Sequence, residues 1–317
     1  MDLARLTLKD CEEIEEFFVA STGMKPGFTQ LSAGLINFTV ECVDLDGVTL
    51  IWSGNEGCHR WHDEAPETGL HFAFAVSAEE PILFQGREVD QSERAMGQPE
   101  AEMDFLMKGK TASIDIGIEQ ELLEELGWNV SGPPVMGIPE ETRARLTSTC
   151  KAIRRAAQLQ SLPKRPEYAQ AIIQAWRDQL LDDLQDVVMP WGAKECPAAK
   201  SADRPTPYQL IRLAETFFNG LPPDQMPDME NLSKEIGVSR RSLFRAFQEH
   251  LGLGPRRYFE LKRLNMLRRD LKAHVPDEAT VTDLALKNGF VQFGRLSQLY
   301  KNQFGELPST TLRARSN

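Results

Sequence analysis

Residues 232–250 read LSKEIGVSRRSLFRAFQEH, and residues 281–304 read VTDLALKNGFVQFGRLSQLYKNQF. Each stretch has a short helical pattern, a turn that contains a glycine, and then a longer helical pattern. Glycine tolerates the left-handed backbone that a tight turn between two helices requires. The two stretches therefore predict two helix-turn-helix units, with Gly237 and Gly289 in their turns.

The residues between the two units predict one long amphipathic helix over residues 255–273. At ~1.5 Å per residue this helix is about 28 Å long. Such a rod can hold the second helix of each unit about 34 Å apart, the distance between successive major-groove faces on one side of B-DNA. We therefore expect one chain to recognise two half-sites in double-stranded DNA. The alternative is that both units only form a structural helical bundle.

Charge is distributed unevenly along the chain. The 317 residues carry a net charge of −11, which alone argues against a polyanionic partner. Residues 228–317, however, carry 16 Lys and Arg against 10 Asp and Glu, whereas residues 1–227 have a net charge of −17. A basic final third on an acidic body indicates a separate nucleic-acid-binding module. We expect the basic residues of the rod to be solvated rather than to contact phosphates; they are Arg256, Arg257, Lys262, Arg263, Arg268, Arg269 and Lys272.

The N-terminal half has a different periodicity. A helix is predicted over residues 8–20, with Thr7 and Asp10 as its capping box. Short alternating runs follow, and six to eight strands at this spacing indicate a β-sandwich or small barrel. They are the runs 35–43, 48–52, 70–76, 81–84, 102–107 and 111–118, with two-residue turns at Asp46-Gly47 and Gln85-Gly86.

Two helices and a linker come next. Pro139 opens the first helix, whose apolar face carries Leu146, Cys150, Ile153 and Ala157. The second has a stripe from Tyr168 to Val187 that includes Ile172, Trp176, Leu180 and Leu184. These faces either pack against the β domain or pair with a second copy of the chain. Residues 190–205 are rich in Pro and small residues, which is typical of a tether, and Thr206, Pro207 and Gln209 then form a strong helix start.

The predicted organisation is thus α+β. Residues 1–189 form a sensing and dimerisation domain, residues 190–205 a linker, and residues 206–317 an all-α double helix-turn-helix domain. The chain has no run of about 18 apolar residues and its start is acidic, so we expect a cytoplasmic protein with no membrane partner. The five scattered cysteines, Cys11, Cys42, Cys58, Cys150 and Cys196, are expected to be reduced, mostly buried thiols.

The last 112 or so residues resemble the double helix-turn-helix domain of the AraC/XylS family of bacterial transcription regulators. The resemblance lies in residues 232–254, the rod, Gly289-Phe290 and the run Phe304-Gly305-Glu306-Leu307-Pro308-Ser309. Residues 294–300 and 310–313 are similar to the subgroup that includes ethanolamine-operon-type regulators. The N-terminal two-thirds resembles, more loosely, the cupin-like sensing domain and dimerising helices of such proteins. The resemblance implies a homodimeric activator that binds DNA, a small-molecule effector and RNA polymerase.

The candidate DNA contacts lie on the second helix of each unit. Ser239 begins the first such helix, where a hydroxyl and free backbone N–H groups suit a phosphate. Arg240, Arg241 and Arg245 follow, and arginine can hydrogen-bond guanine O6 and N7 together. The resemblance implies that Arg241 and Arg245 contact bases.

The second such helix departs from the family's more polar pattern at Phe293 and Gly294. Phe293 either contacts a thymine methyl or extends the stripe of Leu296 and Tyr300 into the core. Its other candidates are Arg295, Ser297 and Gln298, and Gln298 is the sharpest of them because glutamine suits adenine.

The β domain contains a histidine cluster at residues 58–64, CHRWHDE, followed by His71. It is interpreted as an ordinary loop; effector recognition and a metal site are the alternatives. No His-x-His pair occurs, so no metal and no cofactor are predicted. Arg60 would pair with an anionic effector, and Trp52, Trp61, Phe72 and Phe74 would line its pocket.

The sequence lacks a phosphate-binding glycine loop, a G-x-S-x-G elbow and an H-E-x-x-H motif, so it predicts no enzyme. The main hypothesis is a ligand-responsive, sequence-specific transcription regulator. Two alternatives are a DNA-binding regulator whose body is controlled by a partner protein, and a metal-dependent cupin enzyme fused to a DNA-binding module.

Overall fold

We describe the chain from a computed structural model, over residues 3–22, 25–34, 36–64, 69–90, 92–97, 103–128, 135–159, 165–188, 205–223 and 225–314. Its strands are β1 Ala4–Leu8, β2 Lys25–Gln30, β3 Asn37–Asp44, β4 Val48–Glu56, β5 His59–Glu64, β6 Leu70–Ala78, β7 Ile82–Phe84, β8 Arg87–Val89, β9 Glu93–Gly97, β10 Met103–Met107, β11 Lys110–Ile118 and β12 Val135–Gly137. Its helices are α1 Cys11–Thr22, α2 Gln120–Leu126, α3 Glu140–Gln158, α4 Pro166–Val188, α5 Pro207–Asn219, α6 Met229–Ile236, α7 Arg240–Leu251, α8 Pro255–Ala273, α9 Val281–Lys287, α10 Phe293–Phe304 and α11 Pro308–Arg313.

The chain divides into two compact units. One comprises Met1–Phe28 and Ile36–Ala198, and the other comprises Thr29–Leu35 and Ala199–Asn317. The first is β-rich and the second is built mainly from helices, which confirms the predicted α+β class. The predicted linker lies outside the described residues except for Pro205, so the proposed domain boundaries stay predictions.

The first unit has two antiparallel sheets. The larger has the strand order β1-β3-β4-β11-β6-β9-β12, and the smaller has the order β2-β5-β10-β7-β8. The turns at Asp46-Gly47 and Gln85-Gly86 have positive φ at both residues, as a two-residue hairpin turn of type I′ requires. The predicted strands are confirmed, but six others were not predicted, because they are short or lack regular alternation: β1, β2, β5, β8, β9 and β12.

The prediction of a first helix from residue 8, capped by Thr7, is wrong at its start. Thr7 lies in β1, which pairs with β3 with Thr7 opposite Thr39. Asp10 caps α1 instead: its Oδ1 accepts a hydrogen bond from the backbone N–H of Glu13 at 3.0 Å. The strand partner is some thirty residues away in the chain, so the local helical pattern gave no sign of it.

Helices α3 and α4 pack on one face of the larger sheet. The residues predicted for the apolar face of α3 are all buried, together with Leu180, Leu184 and Val187 of α4. They share a core cluster with Trp52, Phe72 and Ile114 of the sheet. In α4 only the C-terminal half of the predicted stripe is fully buried, because Ile172 and Trp176 are half-buried and Tyr168 is exposed.

The second unit contains both predicted helix-turn-helix units. Helices α6 and α7 form the first, α9 and α10 form the second, and α8 is the predicted rod between them. Thr206 begins α5 with the predicted capping box, in which its hydroxyl accepts from Gln209 N–H and the Gln209 side chain accepts from Thr206 N–H. Gln30 also belongs to this unit, and its backbone exchanges two hydrogen bonds with the buried Asn265 amide.

The expectation that the rod's basic residues are all solvated is wrong for Arg263, Arg268 and Lys262. Lys262 is half-buried and donates to the carboxylate of the buried Glu215 at 3.0 Å. Arg263 and Arg268 are buried. Arg263 donates to the backbone carbonyl of Gln225, and Arg268 donates to the Glu306 carboxylate at 2.7 Å and lies over the ring of Phe304. These guanidinium groups bind α8 to neighbouring segments, which a charge pattern along one helix does not reveal.

Gly237 and Gly289 have φ values of 76° and 78°, so both turns use the left-handed conformation. We expect Gly237→Ala to destabilise the second unit by about 1–2 kcal/mol, because an L-residue in that conformation brings Cβ against the backbone. Gly294 is a matched control, since it lies inside α10 with open space where an added Cβ would lie. There alanine should stabilise by about 0.5–1 kcal/mol. Urea unfolding followed by circular dichroism measures both, and equal effects of the two substitutions would contradict the prediction.

Candidate DNA interface and ligand cavity

The exposed face of α7 carries the predicted arginines. Arg240, Arg241 and Arg245 are exposed, while Leu243 and Phe247 on the opposite face are buried, as predicted. The Arg245 side chain is 72% exposed, and its Nε lies 3.7 Å from the carboxylate of Glu249. A surface pair of this kind contributes little free energy, so it leaves Arg245 available to a nucleic acid.

Ser239 is the N-cap of α7. Its hydroxyl oxygen accepts a hydrogen bond from the backbone N–H of Ser242 at 3.1 Å and lies 2.9 Å from the Ser242 hydroxyl. The side chain predicted to contact a phosphate is therefore also the helix cap. A phosphate contact by Ser239 stays a prediction.

The exposed face of α10 carries the candidates of the second unit. Phe293 is 40% exposed, so it does not extend the buried stripe of Leu296 and Tyr300, and that alternative is wrong. Arg295 is exposed and its guanidinium lies 3.5 Å from Glu260. Gln298 is exposed too, and its side-chain amide donates to Asn302 at 2.7 Å.

Ser297 is half-buried and its hydroxyl donates to the backbone carbonyl of Phe293 at 3.0 Å, so it is the least available of these candidates. Three further exposed residues share these faces and were not predicted: Phe244 on α7, and Lys301 and Asn302 on α10. Each is three or four residues from a predicted contact, so helical spacing was the signal that could have identified them.

A cavity lies between the two sheets of the first unit. It has about 730 Å³ of empty space, its open mouth included. The described residues that line it belong to strands of both sheets: Phe38, Ser53, Asn55, Trp61, His71, Ala73, Phe74, Ala75, Ile82, Val89, Glu93, Met103, Phe105, Met107, Thr111, Ser113 and Asp115.

The histidine cluster is a strand rather than the predicted loop. Residues His59–Glu64 form β5, which pairs with β10 so that Trp61 lies opposite Phe105. Strand alternation places His59 and Trp61 on one face and Arg60 and His62 on the other. The prediction of a loop is wrong because the polar residues of the cluster conceal the period-two pattern of the strand.

Two of the four predicted aromatic effector residues, Trp61 and Phe74, line the cavity. Trp52, Phe72 and Phe74 belong to the core cluster under α3 and α4, so Phe74 takes part in both. Arg60 is buried and makes two hydrogen bonds to the Asp104 carboxylate, from Nε at 2.9 Å and from Nη2 at 2.5 Å. The guanidinium is thus paired within the protein, which argues against the predicted ion pair with an anionic effector.

One side of the cavity carries a polar cluster built on two paired strands. Ser53 of β4 lies opposite Ser113 of β11 in the sheet, and their hydroxyls are 2.6 Å apart. Both hydroxyls donate to Oδ2 of Asp115, at 3.3 Å from Ser53 and 3.1 Å from Ser113. We call these three residues the carboxylate cluster.

Burial raises the pKa of Asp115 to about 6, although the hydrogen bonds from Ser113 and Ser53 act in the opposite direction. The folded protein then holds this proton more tightly than the unfolded chain does, so this group lowers stability as the pH rises from about 4 to about 6. We expect Asp115→Asn to increase stability at pH 7 by up to about 3 kcal/mol, with no such gain at pH 4.

All five tryptophans precede residue 192, so urea unfolding followed by tryptophan fluorescence reports on the first part of the chain. Asp182→Asn is the control, because Asp182 is an exposed carboxylate on α4. This substitution should leave the urea unfolding curves at pH 4 and at pH 7 unchanged. A gain for Asp115→Asn that is the same at pH 4 and pH 7 would contradict the assigned titration.

Two kinds of site are absent from the part of the chain that the structure describes. No three His, Cys, Asp or Glu side chains come together there to hold a metal ion. None of the helices described is both long enough and apolar enough to cross a membrane. Cys11 and Cys150 are buried and Cys42 and Cys58 are half-buried; Cys196 lies outside the described residues.

Comparison with known proteins supports the assignment of the second unit. A helix-turn-helix domain family matches residues 232–314. The XylDLEGF operon transcriptional activator of Pseudomonas putida is 36% identical over 85 residues, which cover 27% of this chain and 26% of that protein. The probable thc operon regulatory protein of Rhodococcus erythropolis is 35% identical over 104 residues, which cover 33% of this chain and 31% of that protein.

Each of these similarities covers less than two thirds of the relative's length. Among solved structures, the AraC-like transcriptional activator CuxR is 15% identical, and the similarity covers 90% of this chain and 100% of that chain with a TM-score of 0.39. Resemblance to the ethanolamine-operon-type subgroup stays a prediction. Over residues 232–314 the chain carries a helix-turn-helix domain, and this domain is similar to that of transcription regulators of the AraC/XylS family.

Proposed function

We propose that this protein is a sequence-specific transcription regulator that binds double-stranded DNA as a homodimer and responds to a small molecule bound in its first unit. The observation that carries the proposal is the pair of helix-turn-helix units, each with an exposed helix face rich in groups that bind DNA. Arginine on such a face can bind phosphate and can distinguish guanine from the other bases. The names of the relatives, which are transcriptional activators or operon regulators, support activation and hence RNA polymerase as a partner.

The proposed dimer rests on α4. The N-terminal half of its apolar stripe is incompletely covered: Tyr168 is 53% exposed, and Ile172 and Trp176 are half-buried. An apolar helix face that its own unit leaves uncovered is typical of a contact between subunits. For the N-terminal half of α4, this favours pairing with a second copy of the chain over packing against the β domain.

Fluorescence anisotropy with duplexes from the DNA upstream of the gene tests the proposal. The duplex that contains the site should bind at least about 10³-fold more tightly than a scrambled duplex at physiological salt. Equal affinity for both would contradict specific recognition.

A second measurement tests the rod. Inserting about five base pairs between the two half-sites turns the second one to the opposite side of the duplex. Because α8 is a continuous helix, one chain should then lose one of its two contacts, and affinity should fall towards that for scrambled DNA. Unchanged affinity would mean that the two helix-turn-helix units do not bind one face of the DNA together.

The alternative, control of the first unit by a partner protein, is less well supported because the unit has a cavity with polar groups inside. A thermal-shift screen of small molecules separates the two, since a ligand that binds only the folded state raises the melting temperature. The enzyme alternative requires stoichiometric metal, which elemental analysis of the purified protein would detect.

A further inference from the structure

The cavity between the sheets combines apolar walls with one buried carboxylate. Trp61, Phe105, Met103 and Met107 come from the smaller sheet, and Asp115 stands on the larger sheet with only 6% of its surface exposed. Leaving a carboxylate in such surroundings is costly, as the raised pKa of Asp115 shows. The two serine hydroxyls offset only part of that cost.

The charge of the cavity is unbalanced. Asp115 and Glu93 are the carboxylates among its described lining residues, and no Lys or Arg is among those residues. Glu93 has a cation, because Arg87 forms an ion pair with it. Arg60 is paired with Asp104 on the other face of β5 and does not line the cavity. Asp115 is therefore left with hydroxyl partners and no described counter-ion.

Three more residues that line the cavity have polar atoms with no hydrogen-bond partner among the described residues. His71, which is 4% exposed, has both ring nitrogens unpartnered, Asn55 has Oδ1, and Trp61 has its indole Nε1. Burial lowers the pKa of His71 to about 4, so its ring is neutral at physiological pH and does not supply the missing charge. A buried polar group without a partner is unfavourable unless a ligand or water completes its hydrogen bonds.

We propose that this cavity binds a small apolar primary amine as its ammonium ion, with Asp115 as the counter-ion. The carboxylate, Oδ1 of Asn55 and a neutral His71 nitrogen are hydrogen-bond acceptors, and an ammonium group has three N–H donors and no acceptor. The aromatic and methionine walls suit the rest of such a molecule, and aromatic faces attract cations. An anionic ligand would place like charges together without a described cation between them. The inference depends on the proposed function, because it takes this cavity as the effector site.

Three isosteric probes test the ligand class: 2-phenylethylamine, 2-phenylethanol and phenylacetate. Isothermal titration calorimetry with the full chain at pH 7.5 should show binding of the amine, with the alcohol and the carboxylate at least about tenfold weaker. The expected factor follows from a hydrogen bond to a charged group, which contributes about a tenfold to hundredfold change in affinity. This comparison needs no variant, so it does not depend on whether a substituted protein folds.

Asp115→Asn should weaken amine binding by about tenfold to a hundredfold, while the alcohol should be little affected, because asparagine keeps the shape but not the charge. Asp182→Asn is the matched control and should bind the amine as the unmodified protein does. Tighter binding of phenylacetate, no preference among the three probes, no binding of any probe, or an unchanged amine affinity in Asp115→Asn would each overturn the inference.

The same samples separate this inference from the proposed function. If the amine binds through Asp115 but leaves the affinity for the specific duplex unchanged, the ligand assignment stands and effector control of DNA binding fails. If phenylacetate or the alcohol binds instead and changes DNA affinity, the cavity is the effector site and the ligand class is wrong.

Discussion

The double substitution Arg241→Ala/Arg245→Ala is expected to weaken binding to the specific duplex by about 30-fold to 10⁴-fold. Each arginine that hydrogen-bonds a guanine edge contributes about 1–3 kcal/mol of discrimination, and 1.4 kcal/mol is a tenfold change. Both side chains are exposed one turn apart on α7, so one helix face places them in the same groove. Because neighbouring contacts are seldom additive, we expect a value in the lower part of this range.

The control separates base contacts from general charge effects. Arg155→Ala together with Lys151→Ala removes the same two charges from exposed positions on α3, and it should leave DNA affinity nearly unchanged. For the double variant, affinity for scrambled DNA should fall much less than affinity for the specific duplex, since scrambled DNA offers phosphates but not the cognate bases. An equal loss on both duplexes would show that the two arginines contact phosphate only.

Asp104→Ala is expected to destabilise the first unit by about 3–5 kcal/mol, because it leaves the Arg60 guanidinium buried without its main partner. The side chains of Arg60 and Asp104 are 3% and 2% exposed, and His62 Nδ1 lies 3.8 Å from the same carboxylate. Urea unfolding followed by tryptophan fluorescence measures the loss.

A double variant tests whether the loss arises from the unpaired charge. Replacing both partners with apolar residues, Arg60→Met together with Asp104→Leu, should restore most of the stability, because a buried ion pair often contributes no more than an apolar pair of similar volume. If the double variant is as unstable as Asp104→Ala, the ion pair is not the cause and packing at this position is.

Local features of the sequence account for most of what was predicted correctly. The glycine turns, the Thr206 capping box and the apolar faces of α3, α7 and α10 each involve residues at most a few positions apart, and local geometry constrains them directly. The positions of candidate DNA contacts follow from the same helical period, so the sequence also identified the exposed arginines of α7.

Features that depend on pairing between distant segments were predicted poorly. The sequence predicts Thr7 as a helix cap because its strand partner in β3 is not a sequence neighbour. Phe72 and Phe74 lie on the same face of β6, so strand alternation does not distinguish them, and only the tertiary structure shows that Phe74 alone of the two lines the cavity. Arg263 and Arg268 were expected in solvent, since a helix pattern does not include the segments that cover it.

The sequence by itself determined that the chain has two helix-turn-helix units on a rod and that one helix of each has an exposed face with polar groups, because helical period and turn chemistry are local. Only the tertiary structure decided the ligand cavity. Ser53 meets Ser113 and Asp115 through the register of β4 with β11, about sixty residues later in the chain, and Arg60 is neutralised by Asp104 through the register of β5 with β10. Register depends on the whole sheet, so no local pattern specifies that Arg60 pairs with Asp104 while Asp115 has hydroxyl partners and no described counter-ion.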